Sequence, residues 1–121
     1  MSIGEFIKTA DFKSEKHAPV VVVPSGIKAG EPFEVEVSVG KEIPHPNTAE
    51  HYISWISVYF KPAEGPVVNV ARFEYTAHSE AGAFTEPVST FKLKLDKPGK
   101  LIATSYCNLH GLWEGSADVS F

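Results

Sequence analysis

The chain has 121 residues, a formal net charge of −4, and a composition that is 43% hydrophobic and 21% charged. It is long enough to bury a core as one domain without disulfides. No apolar run approaches the ~20 residues that cross a bilayer. The acidic net charge argues against nucleic acid or an anionic membrane as the main partner. The single cysteine, and a first segment of mixed charge without the apolar stretch of a secretory signal, predict a reducing, cytoplasmic setting.

Apolar and polar residues alternate with a period of two along most of the chain, as they do in half-buried strands. Seven segments have this character or are short apolar runs: 20–23, 33–39, 52–60, 67–75, 91–95, 101–106 and 116–121. Pro- and Gly-containing turn sequences separate them, and no segment has the periodicity of a helix. About seven short strands predict an all-β fold, specifically an immunoglobulin-like antiparallel β-sandwich, although the paired cysteines of antibody domains are absent.

The segment 39–51 interrupts this pattern between two predicted strands. Two prolines, Pro44 and Pro46, flank His45. Because proline fixes its own backbone and restricts the preceding residue, a regular helix is excluded and a stiff loop is predicted. A rigid backbone favours metal ligation, since the ligands are then held in place before the metal binds.

Candidate metal ligands lie in the predicted connections between strands. The chain contains five histidines, His17, His45, His51, His78 and His110, and one cysteine, Cys107. All the histidines except His78 lie in or beside turn-rich connections, where functional sites on β-scaffolds are usually built. Cys107 and His110 are close enough for one short loop to direct both at the same atom. Imidazole suits several transition metals, and one thiolate favours copper, zinc or iron, so a mononuclear site is predicted. His78 has no such neighbour and is expected to face solvent.

Two other functions remain open on the residues alone. A cupredoxin is also a β-sandwich with a late Cys–His loop, but its copper normally has an axial methionine soon after the second histidine. The only methionine here is Met1, and two loop histidines would be unused, so a copper electron-transfer protein is the second alternative. The third is an immunoglobulin-like adhesion or binding module whose histidines are incidental surface groups.

Four blocks of the sequence carry a specific resemblance to a known family. They are EKHAP (15–19), VGKEIPHPNTAEHYI (39–53), YTAH (75–78) and SYCNLHGLWE (105–114). On these blocks the chain resembles the superoxide reductases of the neelaredoxin type, the one-iron class of desulfoferrodoxin-like proteins. The resemblance implies an immunoglobulin-like sandwich and one iron-binding superoxide reductase domain over residues 1–121. It also implies reduction of superoxide to hydrogen peroxide at a non-haem iron. Members with a second iron centre need four further cysteines, which this chain lacks.

The resemblance also implies a role for individual residues. It places the iron ligands on His17, His45, His51, His110 and Cys107. Glu15 matches the carboxylate that takes the sixth position in the oxidised resting form, and Lys16 matches the basic residue beside the open position. Lys41 is a weaker candidate for attracting superoxide. Cys107, opposite the open position, would donate electron density toward the bound oxygen species, as axial thiolates do in haem enzymes.

The remaining expectations concern packing and partners. Tyr106 and Trp113 are expected to pack in the core around the metal loop, as aromatic residues on sandwich strands usually do. No second redox centre is encoded, so the electron must come from outside. The family implies a rubredoxin-like electron donor and, often, a homotetramer.

Overall fold

Eight β-strands account for nearly all the regular structure of the computed structural model, which describes residues 1–121. The strands are β1 (Lys8–Thr9), β2 (Pro19–Val22), β3 (Phe33–Val39), β4 (Ile53–Pro62), β5 (Val68–Glu74), β6 (Val88–Leu93), β7 (Gly99–Cys107) and β8 (Gly111–Val119). The only helical segments are two single turns of 3₁₀-helix, Ile3–Glu5 and Glu80–Gly82. No helix therefore has the length and apolarity that a membrane crossing requires.

The strands form two sheets that pack face to face. One has the order β1-β8-β7-β4-β5 and the other the order β2-β3-β6. If strands β2 to β8 are lettered A, B, C, C′, E, F and G, the three-stranded sheet has the order A-B-E of immunoglobulin-like domains. The larger sheet then has the order G-F-C, with C′ beside C. The predicted all-β sandwich is confirmed. One pair departs from the antiparallel rule, because β1 runs parallel to the edge of β8, with Lys8 opposite Trp113.

The core lies between the sheets and follows directly from the alternation in the sequence. Val35 and Val37 of β3 face Ile56 of β4 and Leu101 of β7, and all four are completely buried. Full burial of such a side chain stabilises the fold by about 1.5–3 kcal/mol relative to leaving it exposed. The sheets are therefore held by a continuous aliphatic layer that needs no disulfide.

The last strand differs most from its prediction, since it begins at Gly111 rather than residue 116. Two glycines hide the early part of this strand from a hydrophobicity pattern. Gly115 in particular lies where a Cβ atom would collide with the Pro19 carbonyl of β2, so the close approach of the two strands requires glycine there. The two-residue β1 was not predicted, because it is too short to show any period.

Strand register brings the candidate ligands to one end of the sandwich. Pro19 at the start of β2 pairs with Val39 at the end of β3, and Ile53 at the start of β4 pairs with Cys107 at the end of β7. Cys107 also pairs with Gly111 at the start of β8. The segment before β2, the β3–β4 loop and the β7–β8 turn therefore meet at this end.

Candidate metal centre

Four imidazole rings form a closed ring at this end of the sandwich. Their order around it is His17, His45, His51 and His110, and the successive ring centroids are 4.9, 4.6, 4.9 and 4.6 Å apart. Across the ring, His17 and His51 are 6.0 Å apart. Four nearly equal sides and a longer diagonal describe a four-cornered arrangement around a common centre.

The nitrogen atoms that meet at this centre come from different ring positions. Nδ1 of His110 lies 3.0 Å from Nε2 of His17 and 3.2 Å from Nε2 of His51. The ligand atoms of His17, His45, His51 and Cys107 all lie within 4.8 Å of one another. Nitrogen atoms this close, facing inward, form a donor set that fits a transition metal.

Outer hydrogen bonds fix two of these rings in the tautomer that a metal needs. Nδ1 of His17 donates to a Glu15 carboxylate oxygen at 2.6 Å, and Nδ1 of His45 donates to the Pro46 carbonyl at 2.6 Å. A neutral imidazole has one N–H, so both rings then present a bare Nε2 inward. Nε2 of His45 is buried without any hydrogen-bond partner, which is costly unless a metal takes the lone pair.

Cys107 lies beside the four imidazoles and supplies the fifth candidate ligand group. It is the last residue of β7 and is almost completely buried, and its Sγ lies 3.7 Å from Nδ1 of His110. His110, the residue immediately before β8, is exposed, whereas His17 is buried. The site therefore has a closed sulfur side and a solvent-facing edge at His110.

The surroundings of His17, His45 and His51 favour their neutral forms. Burial lowers the pKa of His45 to about 4, although its hydrogen bond to the Pro46 carbonyl acts in the opposite direction. Burial also lowers the pKa of His17 and of His51, and in each of the three the positive charge of Lys16 adds a smaller effect in the same direction. Neutral imidazole is the form that binds metal, so ligation by these three imidazoles needs little proton release.

Glu15 lies beside His17 rather than in the cluster. One carboxylate oxygen accepts hydrogen bonds from both the backbone N–H and the ring Nδ1–H of His17, at 2.7 and 2.6 Å. Burial raises the pKa of Glu15, but the hydrogen bonds that it accepts from His17 outweigh it, so the pKa lies below its usual value. A carboxylate on the outer nitrogen of a ligating histidine is a common way of orienting that histidine.

The basic residues are arranged unequally. Lys16 is half-buried next to His17, and its charge reaches three of the four rings. Lys41 is instead 3.3 Å from Glu36 in an exposed ion pair, so its charge is partly neutralised.

Asn108 connects the two ligand loops, a role that the sequence analysis did not assign. Its side-chain oxygen accepts from the Tyr52 backbone N–H at 2.9 Å, and its amide donates to the Glu50 carbonyl at 2.9 Å. Its own backbone N–H donates to the Tyr52 carbonyl at 3.2 Å. The signal was present in the sequence, because an amide side chain between Cys107 and His110 can bond to a neighbouring backbone.

The expectation that His78 faces solvent is wrong. The residue is 8% exposed and its ring stacks on Tyr52, with centroids 3.7 Å apart and planes 14° apart. Both ring nitrogens are hydrogen bonded, to Asn47 and to the Tyr75 carbonyl. Its neighbours in sequence do not indicate this burial, because Asn47 and Tyr52 come from a segment more than twenty residues away along the chain.

The two aromatic residues near the thiol differ from each other. Trp113 is buried, stacks on His17 with centroids 5.1 Å apart, and donates its indole N–H to the His110 carbonyl at 3.3 Å. It therefore packs around the metal loop as predicted. Tyr106 is 37% exposed and stacks on Trp55 on the outer face of the sheet, so the core position expected for it is wrong. Side chains alternate along β7, and the burial of Cys107 directs its neighbour outward.

Comparison with known proteins gives one consistent result. Residues 9–116 match the desulfoferrodoxin family model. The chain is 50% identical to the superoxide reductase of Pyrococcus furiosus, covering 97% of this chain and 98% of that one. It is 46% identical to the neelaredoxin of Megalodesulfovibrio gigas, covering 99% and 98%. The structure of the superoxide reductase (neelaredoxin) from Archaeoglobus fulgidus in the reduced form superposes with a TM-score of 0.87 at 48% identity, covering 95% and 98%.

Proposed function

The chain belongs to the desulfoferrodoxin family, and from this membership and the four-imidazole, one-thiol cluster we propose that it is a superoxide reductase. The reaction is O2•− + e− + 2H+ → H2O2, with the electron supplied from outside. The observation that carries the proposal is the closed ring of His17, His45, His51 and His110 above the buried thiol of Cys107. The whole chain, residues 1–121, would form the single catalytic domain.

Iron is the metal that we propose for this site. Four imidazoles and one thiolate suit iron, whereas a trigonal copper site uses two histidines, one cysteine and a weak axial methionine. The only methionine, Met1, is fully exposed and lies outside the cluster. When bound, iron would pass one electron to superoxide and take another from the external donor.

The protein's own residues would hold that metal and set its charge. The four neutral imidazoles bring no charge and Cys107 brings one negative charge, so a ferrous site would carry a net charge of +1. The buried thiolate of Cys107 would hold the metal and donate electron density to it. The inward nitrogens are held by hydrogen bonds and packing outside the cluster, which limits movement of the ligands between oxidation states.

Lys16 would attract superoxide to the open side. The protein as a whole is acidic, so attraction has to be local, and Lys16 is the basic residue whose charge acts on three rings of the cluster. Local positive potential at a small site raises association rates by about 10- to 1,000-fold at low salt, and salt removes the advantage. We expect Lys16→Ala to slow superoxide capture and to weaken its dependence on ionic strength.

Glu15 would have two positions in this proposal. Its contact with His17 supports a role in orienting that ligand. The family resemblance implies that it also moves to the sixth position of the oxidised metal. A Glu15→Ala variant should then change the oxidised visible spectrum more than the rate of superoxide capture, and a collapse of the capture rate would contradict this assignment.

The partners follow from the same proposal. The exposed edge at His110 offers an external protein access to the centre, and a small rubredoxin-like donor would supply the electron there. A cytoplasmic location and a homotetrameric assembly are part of the proposal, on family resemblance alone.

Metal analysis and visible spectroscopy of the purified protein test the proposal together with Cys107→Ser. We expect one iron per chain and a thiolate charge-transfer band that disappears in the variant. Superoxide should be consumed only when an electron donor is present, without evolution of oxygen. Stoichiometric copper, or a band that survives in Cys107→Ser, would refute the assignment.

A further inference from the structure

We propose that His78 is a positioning residue for the metal centre: held as an imidazolium, it fixes the loop that carries His45 and His51. The inference rests on the proposed metal centre and adds to it a residue outside the ligand set. It is carried by the partners of the two ring nitrogens, both of which are hydrogen-bond acceptors.

The first ring nitrogen faces an acceptor whose orientation is determined. Nδ1 of His78 lies 3.2 Å from the Asn47 side-chain oxygen. The Asn47 amide nitrogen donates to the Thr85 carbonyl at 3.0 Å. A carbonyl oxygen can only accept, so the amide nitrogen must face Thr85 and the amide oxygen must face His78. Nδ1 of His78 therefore carries a hydrogen.

The second ring nitrogen also faces an acceptor. Nε2 of His78 lies 2.6 Å from the Tyr75 backbone carbonyl oxygen, which again can only accept. With hydrogen on both nitrogens the ring carries a positive charge in a site where it is 8% exposed.

Such a buried charge needs compensation, and the surroundings supply it. The Glu80 carboxylate accepts a hydrogen bond from the His78 backbone N–H at 2.6 Å. It therefore brings a negative charge close to His78, from a position two residues later in the sequence. Tyr52 places its ring face against the imidazolium, with centroids 3.7 Å apart, as in a cation–π contact.

The backbone around His78 is strained, which is a further sign of a constrained role. Ser79 and Ala81 have φ values of 116° and 54°, in the region that favours glycine. Residues in this region persist only where their surroundings impose the conformation. Here the turn is closed by backbone hydrogen bonds from Thr85 to Ala77 and from Ser79 to Ala83, both 2.8 Å.

The link from His78 to the ligands is short. Asn47 is two residues after His45, and Tyr52 directly follows His51. Between them, Thr48 and His51 close a turn on themselves through their backbone atoms at 3.0 Å. Holding Asn47 and Tyr52 against one ring therefore fixes this segment at one point shortly after His45 and at another directly after His51.

The experiment measures the ring and the metal separately from turnover. In the full chain loaded with zinc, which has no unpaired electrons, ¹⁵N NMR should show hydrogen on both nitrogens of His78 at neutral pH. The iron protein should release iron to an excess of chelator about tenfold faster in His78→Phe, as is typical when an outer partner of a metal site is lost. Phenylalanine keeps the stacking on Tyr52 and removes both donors.

Two further variants make the test specific. Asn47→Ala should accelerate iron release similarly, and the double variant should release iron no faster than the faster single variant, because both act through one hydrogen bond. Ser89→Ala is the matched control, since it breaks a neighbouring hydrogen bond to the Tyr75 hydroxyl and should leave iron release unchanged.

A bare nitrogen on His78, or iron release in His78→Phe and Asn47→Ala that equals the control, would overturn the inference. Neither result depends on superoxide reduction. A failure here is therefore distinguishable from a failure of the proposed function, which would appear as absence of iron or of activity in the unaltered protein.

Discussion

Replacing Gly40 by alanine should weaken metal binding through one defined displacement. Gly40 directly follows β3, at the start of the loop that carries His45 and His51, and has a φ of +92°. An added Cβ would lie 2.7 Å from the backbone nitrogen of His45, and 3.4 Å is the closest ordinary contact. The His45 backbone would have to retreat by about 0.7 Å, which exceeds the ~0.2 Å tolerance of metal–ligand distances.

The expected magnitude has two parts that a control variant separates. Alanine in this region of φ costs about 1–2 kcal/mol of folding stability. Gly30 has a φ of +76° and nothing within 4 Å of its added Cβ, so Gly30→Ala should show that cost alone. Gly40→Ala should in addition raise the dissociation constant for iron at least about tenfold, equivalent to about 1.4 kcal/mol.

Two assays distinguish these parts. Thermal unfolding of the metal-free proteins reports the strain, and competition with a chelator reports the iron affinity. If Gly40→Ala and Gly30→Ala bind iron equally well, the loop absorbs the displacement without moving its ligand, and the reasoning is wrong.

Three other changes have expected outcomes. Burial raises the pKa of Tyr75, whereas its hydrogen bond to Ser89 acts in the opposite direction. Because the tyrosine of the unfolded chain ionises at about pH 10, before that of the folded protein, the folded protein should lose stability as pH rises above about 10. Denaturant titrations should show this loss reduced in Tyr75→Phe, and an unchanged slope would contradict it. Asn108→Ala removes both side-chain bonds between the ligand loops and should raise the iron dissociation constant about 10- to 100-fold in the chelator assay; equal affinity would show that the loops hold together without it. Leu101→Ala should lower the free energy of unfolding by about 2–5 kcal/mol, because it leaves a cavity in the core. The iron content of the folded variant should stay at the wild-type level, and loss of iron would contradict this.

The sequence predicted most of the sandwich because burial on one face of a strand leaves a period of two. This worked for β3, where Phe33 to Val39 alternate strictly, and it failed for the start of β8, where Gly111 and Gly115 carry no hydrophobic signal. Glycine at position 115 reflects the neighbouring β2 backbone, which is information that a local pattern does not contain.

The candidate site was predictable as far as its ligand types and its loops. Cys107 and His110 share a short turn, so their proximity was visible in the sequence. The contacts of His78 were not, because Asn47 and Tyr52 lie more than twenty residues away and reach it only through tertiary packing. Resemblance named the ligands, whereas the hydrogen bonds that orient them required the three-dimensional structure.

The distribution of the candidate ligands between the two sheets would give a bound metal a mechanical role as well. His17 precedes a strand of the three-stranded sheet, and Cys107 ends a strand of the five-stranded sheet, ninety residues later in the chain. In antibody domains a disulfide between the B and F strands joins the two sheets, and Cys107 ends the strand equivalent to F. A bound metal would thus hold the two sheets together at one end of the sandwich, as a removable cross-link. Loss of the metal would allow the sheets to separate at this end before they separate elsewhere. Loss of the cofactor and the onset of unfolding would then be one event.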